Sequence, residues 1–153
     1  MTTTGYHYTE CGLDYIWLTS GYSVVDAPGG RQVVIKDIDG LHELIGRYLI
    51  DNKGSFTGKE IRFLRHEMLM SQALLAKLLG VSEQAVARWE KGKADVPKPA
   101  ETLIRLLYRE HIKDKTVMSF QARLQRLADM EDSADGQRVT LRRPNREWHL
   151  AAA

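Results

Sequence analysis

Cysteine is almost missing from this 153-residue chain, where Cys11 stands alone. One thiol excludes an internal disulfide and any four-cysteine metal site, and it removes dithiol redox chemistry from the candidate activities. Long apolar runs are missing too. No stretch approaches the roughly 18 uncharged residues of a membrane-spanning helix, and the N-terminal MTTTGYHYTECG has neither the basic leader nor the apolar core of an export signal. A soluble cytoplasmic protein with no membrane partner is expected. The sequence also lacks a glycine-rich phosphate loop, a histidine pair at helical spacing and a nucleophile in a recognisable turn. Neither enzymatic activity nor a cofactor is expected.

What is present suffices for a core: 43% of the residues are apolar, enough for one ordinary domain or two small ones. The formal net charge of +2 conceals a change of sign along the chain. Residues 1–56 carry 4 basic and 7 acidic side chains, residues 57–113 carry 11 and 7, and residues 114–153 carry 7 and 6. A basic middle points to a polyanion, and an acidic front end to a basic protein.

The pattern changes near residue 56. DYIWLTSGYSVVDAPGGRQVVIKDI, residues 14–38, is rich in β-branched and aromatic residues, and Pro28-Gly29-Gly30 separates two runs that read as a hairpin. DGLHELIGRYLI then places Leu41, Leu44, Ile45, Tyr48 and Leu49 on one helical face with Asp39 as its cap, and DNKGS, residues 51–55, reads as a linker. From Thr57 the period is helical. Thr57 and Glu60 form a capping box, Ser71 and Ser82 cap two further helices that stop at Gly80 and near Gly92, and Pro97 and Pro99 open a fourth. SFQARLQRLADM, residues 119–130, predicts a fifth, and from residue 133 the polar, basic chain reads as an arm. The expected fold is α+β: a small antiparallel β-rich, partner-binding module over 1–55, an all-α helix-turn-helix bundle over 56–113, and a C-terminal helix with a basic tail over 114–153.

SQALLAKLLGVSEQAVARWEKGK, residues 71–93, has the spacing of a helix-turn-helix: Ala76 is small where two helices cross, and Gly80 suits a reversal with φ > 0. Leu75, Leu79, Val81, Val86 and Trp89 fall on the inward side. Glu83, Gln84, Ala87 and Arg88 fall outward, where Gln can bond adenine and Arg guanine in the major groove. The segment resembles the Ser-Gln-x-x-Leu-Ala, Leu-Gly-Val-Ser and Trp-Glu-x-Gly signature of Xre/Cro-family repressors. The resemblance implies base contacts from Glu83, Gln84 and Arg88, and contacts to the DNA backbone from Gln72, Lys91 and Lys93.

GGRQVVIKDIDGL is similar to the hairpin segment that precedes the helix-turn-helix in MqsA-type antitoxins, whose N-terminal module is a zinc-bound sheet that also binds the toxin. The cysteine pairs of that family are missing: TECG keeps one, and Tyr8 stands where a C-x-x-C motif needs its first member, so a metal-free module is expected. His7, Cys11 and His42 have no repeated ligand spacing. The resemblance implies a dimeric repressor of a palindromic operator that is also the antitoxin of a small basic toxin. The alternative is a stand-alone regulator, phage or metabolic, whose N-terminal module senses a ligand or dimerises.

Overall fold

The computed structural model describes residues 5–112 and 138–151, and the expected helix over 119–130 lies outside them. The strands are β1 (Tyr6–His7), β2 (Ile16–Leu18), β3 (Tyr22–Ala27), β4 (Gly30–Ile35), β5 (Val139–Arg142) and β6 (His149–Leu150). The helices are α1 (Ile38–Asn52), α2 (Gly58–Glu67), α3 (Gln72–Leu79), α4 (Glu83–Glu90) and α5 (Lys98–Ile112). An α+β fold is therefore observed. The chain divides into two units, one running through Leu44 and resuming with the C-terminal strands, the other beginning at Ile45.

In the first unit the C-terminal segment is built into the sheet rather than trailing as an arm. Four strands lie in the order β1-β2-β5-β6. The β1–β2 and β5–β6 pairs are antiparallel, but β2 and β5 run parallel, with Ile16 opposite Val139 and Leu18 opposite Leu141. These four side chains are buried, as are Tyr8 and Leu13. The burial of Val139 and Leu141 explains why the tail cannot be a solvated extension: VTLR alternates apolar and polar residues, and its apolar side completes a core. Trp148 fixes the turn that follows. Its Nε1 donates to the carbonyls of Asp37 (2.9 Å) and Lys36 (3.2 Å), and its ring lies so close to Gly21 that a Cβ there would meet it at 2.6 Å.

The expected hairpin is present as a separate two-stranded sheet, with β3 and β4 paired from Tyr22–Ile35 to Ala27–Gly30 around Pro28-Gly29. The helix after it starts earlier than expected. Asp37, not Asp39, caps it, because Asp37 Oδ1 accepts the Gly40 amide at 3.1 Å.

The second unit buries Ile45, Leu49 and Ile50 of α1 together with Phe56 and the inward faces of α2 to α5. The supposed linker at 51–55 is pinned. Asp51 and Asn52 finish α1, and buried Arg105 of α5 donates to the carbonyls of Ile50 (2.8 Å) and Lys53 while lying 4.2 Å over the Phe56 ring. Glu101 accepts the Phe56 amide, and Lys98 Nζ donates to the Gly54 carbonyl at 2.7 Å. A buried guanidinium satisfied by the chain's own carbonyls holds a segment whose composition alone reads as loop.

Candidate nucleic-acid interface

Each helix of the candidate interface begins with a side-chain cap encoded within four residues of sequence. Thr57 and Glu60 satisfy each other's amides at the start of α2, Ser71 accepts from Leu74 at the start of α3, and Ser82 accepts from Ala85 at the start of α4. α3 ends on Gly80, whose φ of +72° is the left-handed conformation that glycine adopts without a Cβ penalty. The Val81 amide then donates to the Ala76 carbonyl at 3.0 Å, closing the turn that sends the chain into α4.

The inward and outward faces separate as the spacing predicts, with three exceptions, one of them Ala87, which is half-buried rather than outward. Leu75, Ala76, Val86 and Trp89 are buried, so the Trp89 ring belongs to the core. Leu79 and Val81 are only half-buried, because they flank the reversal. On the outer side of α4, Glu83, Gln84 and Arg88 are exposed, as are Lys91 at its C-cap and Lys93 beyond it. Among the described residues none of these five side chains has a hydrogen-bond or ion-pair partner. Their donors and acceptors are available to a ligand. Leu74 and Leu78, off the core stripe of α3, are exposed.

Gln72 is placed differently. It is half-buried, and its amide nitrogen donates to Glu90 Oε1 at 3.1 Å. That carboxylate is also gripped in a fork by Arg65 of α2, at 2.7 Å from Nε to Oε2 and 2.9 Å from Nη2 to Oε1, while Arg65 Nη1 donates to the Met70 carbonyl at 2.9 Å. The network ties α2, the turn before α3, the first residue of α3 and the end of α4 into one rigid piece. Burial pushes the Glu90 carboxyl up, but hydrogen bonds from Arg65 and then Gln72, with the charges of Arg65 and Arg62, outweigh it and leave Glu90 below its ordinary value. Sequence reading overlooked this pair, and its trace is the Glu that follows Trp89, one helical turn behind the outward residues.

His7, Cys11 and His42 are not brought together. His7 Nε2 lies 2.7 Å from the Asp14 carbonyl oxygen, Cys11 Sγ contacts the Tyr8 carbonyl at 3.6 Å, and His42 Nε2 pairs with the Tyr8 hydroxyl at 2.7 Å. Among the described residues no three His, Cys, Asp or Glu gather where they could hold a metal ion, and no helix is long and apolar enough to cross a membrane.

No curated protein and no solved structure matches the chain. A helix-turn-helix family model matches residues 61–107, from the second position of the α2 core through most of α5. Those residues are an Xre/Cro-type helix-turn-helix domain, the DNA-binding module of a transcriptional regulator.

Proposed function

We propose that this protein is a sequence-specific repressor that binds a palindromic operator as a homodimer. The observation that carries the reading is the outward face of α4: Glu83, Gln84 and Arg88 stand in solvent on a helix held by the buried Arg65–Glu90 pair. In this reading α4 enters the major groove, where Arg88 and Gln84 bond base edges and Glu83 accepts from a cytosine amino group. Lys91 and Lys93 neutralise phosphates. Gln72 uses one amide proton on Glu90 and offers the other to a phosphate, so its partner orients it rather than occupying it. One helix reads only a few base pairs, and a two-fold axis doubles the site into half-sites about 34 Å apart.

Selection of duplexes from a random pool by the purified protein, followed by sequencing, tests this. A palindrome bound at two chains per duplex is expected. Enrichment of no sequence would overturn base reading, and one chain per duplex would overturn the dimer.

A second reading makes the repressor also an antitoxin, and the β3–β4 hairpin favours it. Val24, Val34 and Val25 are 55%, 47% and 40% exposed, and among the described residues neither outer edge of the hairpin pairs with another strand. A partner strand added to the β3 edge would satisfy its main chain and flank Val24 and Val25, and one added to the β4 edge would flank Val34. Charge lends less support than the acidic front end suggests: with β5 and β6 included, the described residues of the first unit carry 6 basic and 7 acidic side chains. Co-expression with the neighbouring gene, using the intact chain and a variant with Val24 and Val34 changed to Lys, separates the readings. Rescue of growth by the intact chain alone supports the antitoxin, and a harmless neighbour supports the stand-alone regulator.

A further inference from the structure

The outward face of the four-stranded sheet carries two arginines and two histidines around one tryptophan. Trp17 in β2 is opposite His7 in β1 and Thr140 in β5, and Arg142 in β5 is opposite His149 in β6. These five residues share one side of the sheet, the other side being the buried Ile16, Leu18, Val139 and Leu141. The His7 ring stacks on Trp17 at 4.2 Å with an interplanar angle of 3°, and the Arg138 guanidinium lies 3.9 Å over the same ring. Among the described residues neither Arg138 nor Arg142 meets a carboxylate. Among the described residues Glu147 is an acid beside this face, its Oε2 3.9 Å from His149 Nε2 with both side chains at least half exposed, and the exposed Asp14 supplies the carbonyl that His7 contacts.

We propose that this face is a second contact surface for duplex DNA, binding its phosphate backbone without regard to sequence. Packing over the Trp17 ring orders the Arg138 guanidinium, whose N–H donors suit phosphate oxygens. Arg142 adds a second cation four residues further along the chain, at the end of β5. Because His7 and Arg138 already lie against Trp17, the ring orders Arg138 and does not stack on a base, so the contact is electrostatic. Among the described strand residues on this side Trp17 is the one large apolar side chain, and its ring is taken up by His7 and Arg138, which argues against insertion into a lipid surface. The inference rests on the DNA-binding reading only in its choice of duplex DNA as the polyanion.

The test is the salt dependence of full-length protein binding to a random-sequence duplex. Arg142→Ala, an exposed change outside the core, is expected to lower the slope of log K against log salt by about one unit, and Arg138→Ala with Arg142→Ala by about two. An unchanged slope in the Arg142→Ala protein overturns the proposal, whatever the double variant does to the fold. A slope unchanged for duplex alongside lost binding of a polyglutamate peptide assigns the face to an acidic protein and equally overturns it. A triple Arg88, Lys91 and Lys93 to Ala variant that still binds DNA normally would sink the α4 reading instead, and the two failures are distinguishable.

Discussion

Arg88 and Lys91 are three positions apart on one helix, yet their removal is expected to read out differently. Arg88→Ala, like Gln84→Ala, should cost about 1–3 kcal/mol on the selected operator and little on random duplex, because only the operator presents the matching base edge. Lys91→Ala should weaken both DNAs alike and lower the salt slope by about one unit. Gel-shift titrations on the two DNAs at several salt concentrations check both, and equal losses from Arg88→Ala would mean that it touches only backbone. Glu90 lies one step behind the proposed DNA-contacting face, bonded to Arg65 and Gln72. Glu90→Gln leaves Arg65, 11% exposed, as an uncompensated cation beside it, and a loss of about 3–5 kcal/mol in urea unfolding is expected. Because the folded-state pKa of Glu90 is lowered, its contribution is fully present above its ordinary value and is lost as pH falls through the lowered one. Stability of the wild type should therefore drop below about pH 4.5, and part of that drop should vanish in Glu90→Gln.

At the scale of elements, the helices and the β3–β4 hairpin were legible in the sequence, and the partners within the four-stranded sheet were not. Thr57, Ser71 and Ser82 each satisfy an amide three residues ahead, so a local pattern announces a local structure. Ser82→Ala should cost about 1 kcal/mol, and Gly80→Ala about 1–2 kcal/mol for the left-handed backbone, both measurable by thermal unfolding. The outward residues of α4 were legible for the same reason. By contrast, β5 finds its partner more than a hundred residues upstream in β2, and nothing within VTLR says so. Arg105 likewise fastens residues 50 and 53 from half a domain away, which composition cannot reveal. The Asp37 cap was missed by two positions because Asp39 fits the same local rule.

For the whole molecule, the tail's place in the sheet makes truncation a sharp test. A chain ending at residue 133 loses Val139, Leu141 and Trp148 and uncovers Ile16 and Leu18. Amide exchange at Tyr8 and Thr19, whose protons bond to Ile16 and Leu141, should become fast, while α2 to α4 keep their protection. Slow exchange at Thr19 in the truncated chain would contradict the observed pairing. Untagged protein is also expected to carry no stoichiometric zinc, and elemental analysis showing one zinc per chain would overturn that expectation.

The parallel pairing of β2 with β5 also sets a timetable. The helix-turn-helix lies wholly between the two parts of the first unit in sequence, so its helices can close on local contacts while the last residues are still being synthesised. The sheet has to wait for β5, because residue 141 must return to residue 18 across a loop of more than a hundred residues. During synthesis a DNA-reading domain therefore exists before the sheet that accompanies it. A ribosome that still holds residue 141 in its exit tunnel would carry a folded helix-turn-helix beside an unfinished sheet.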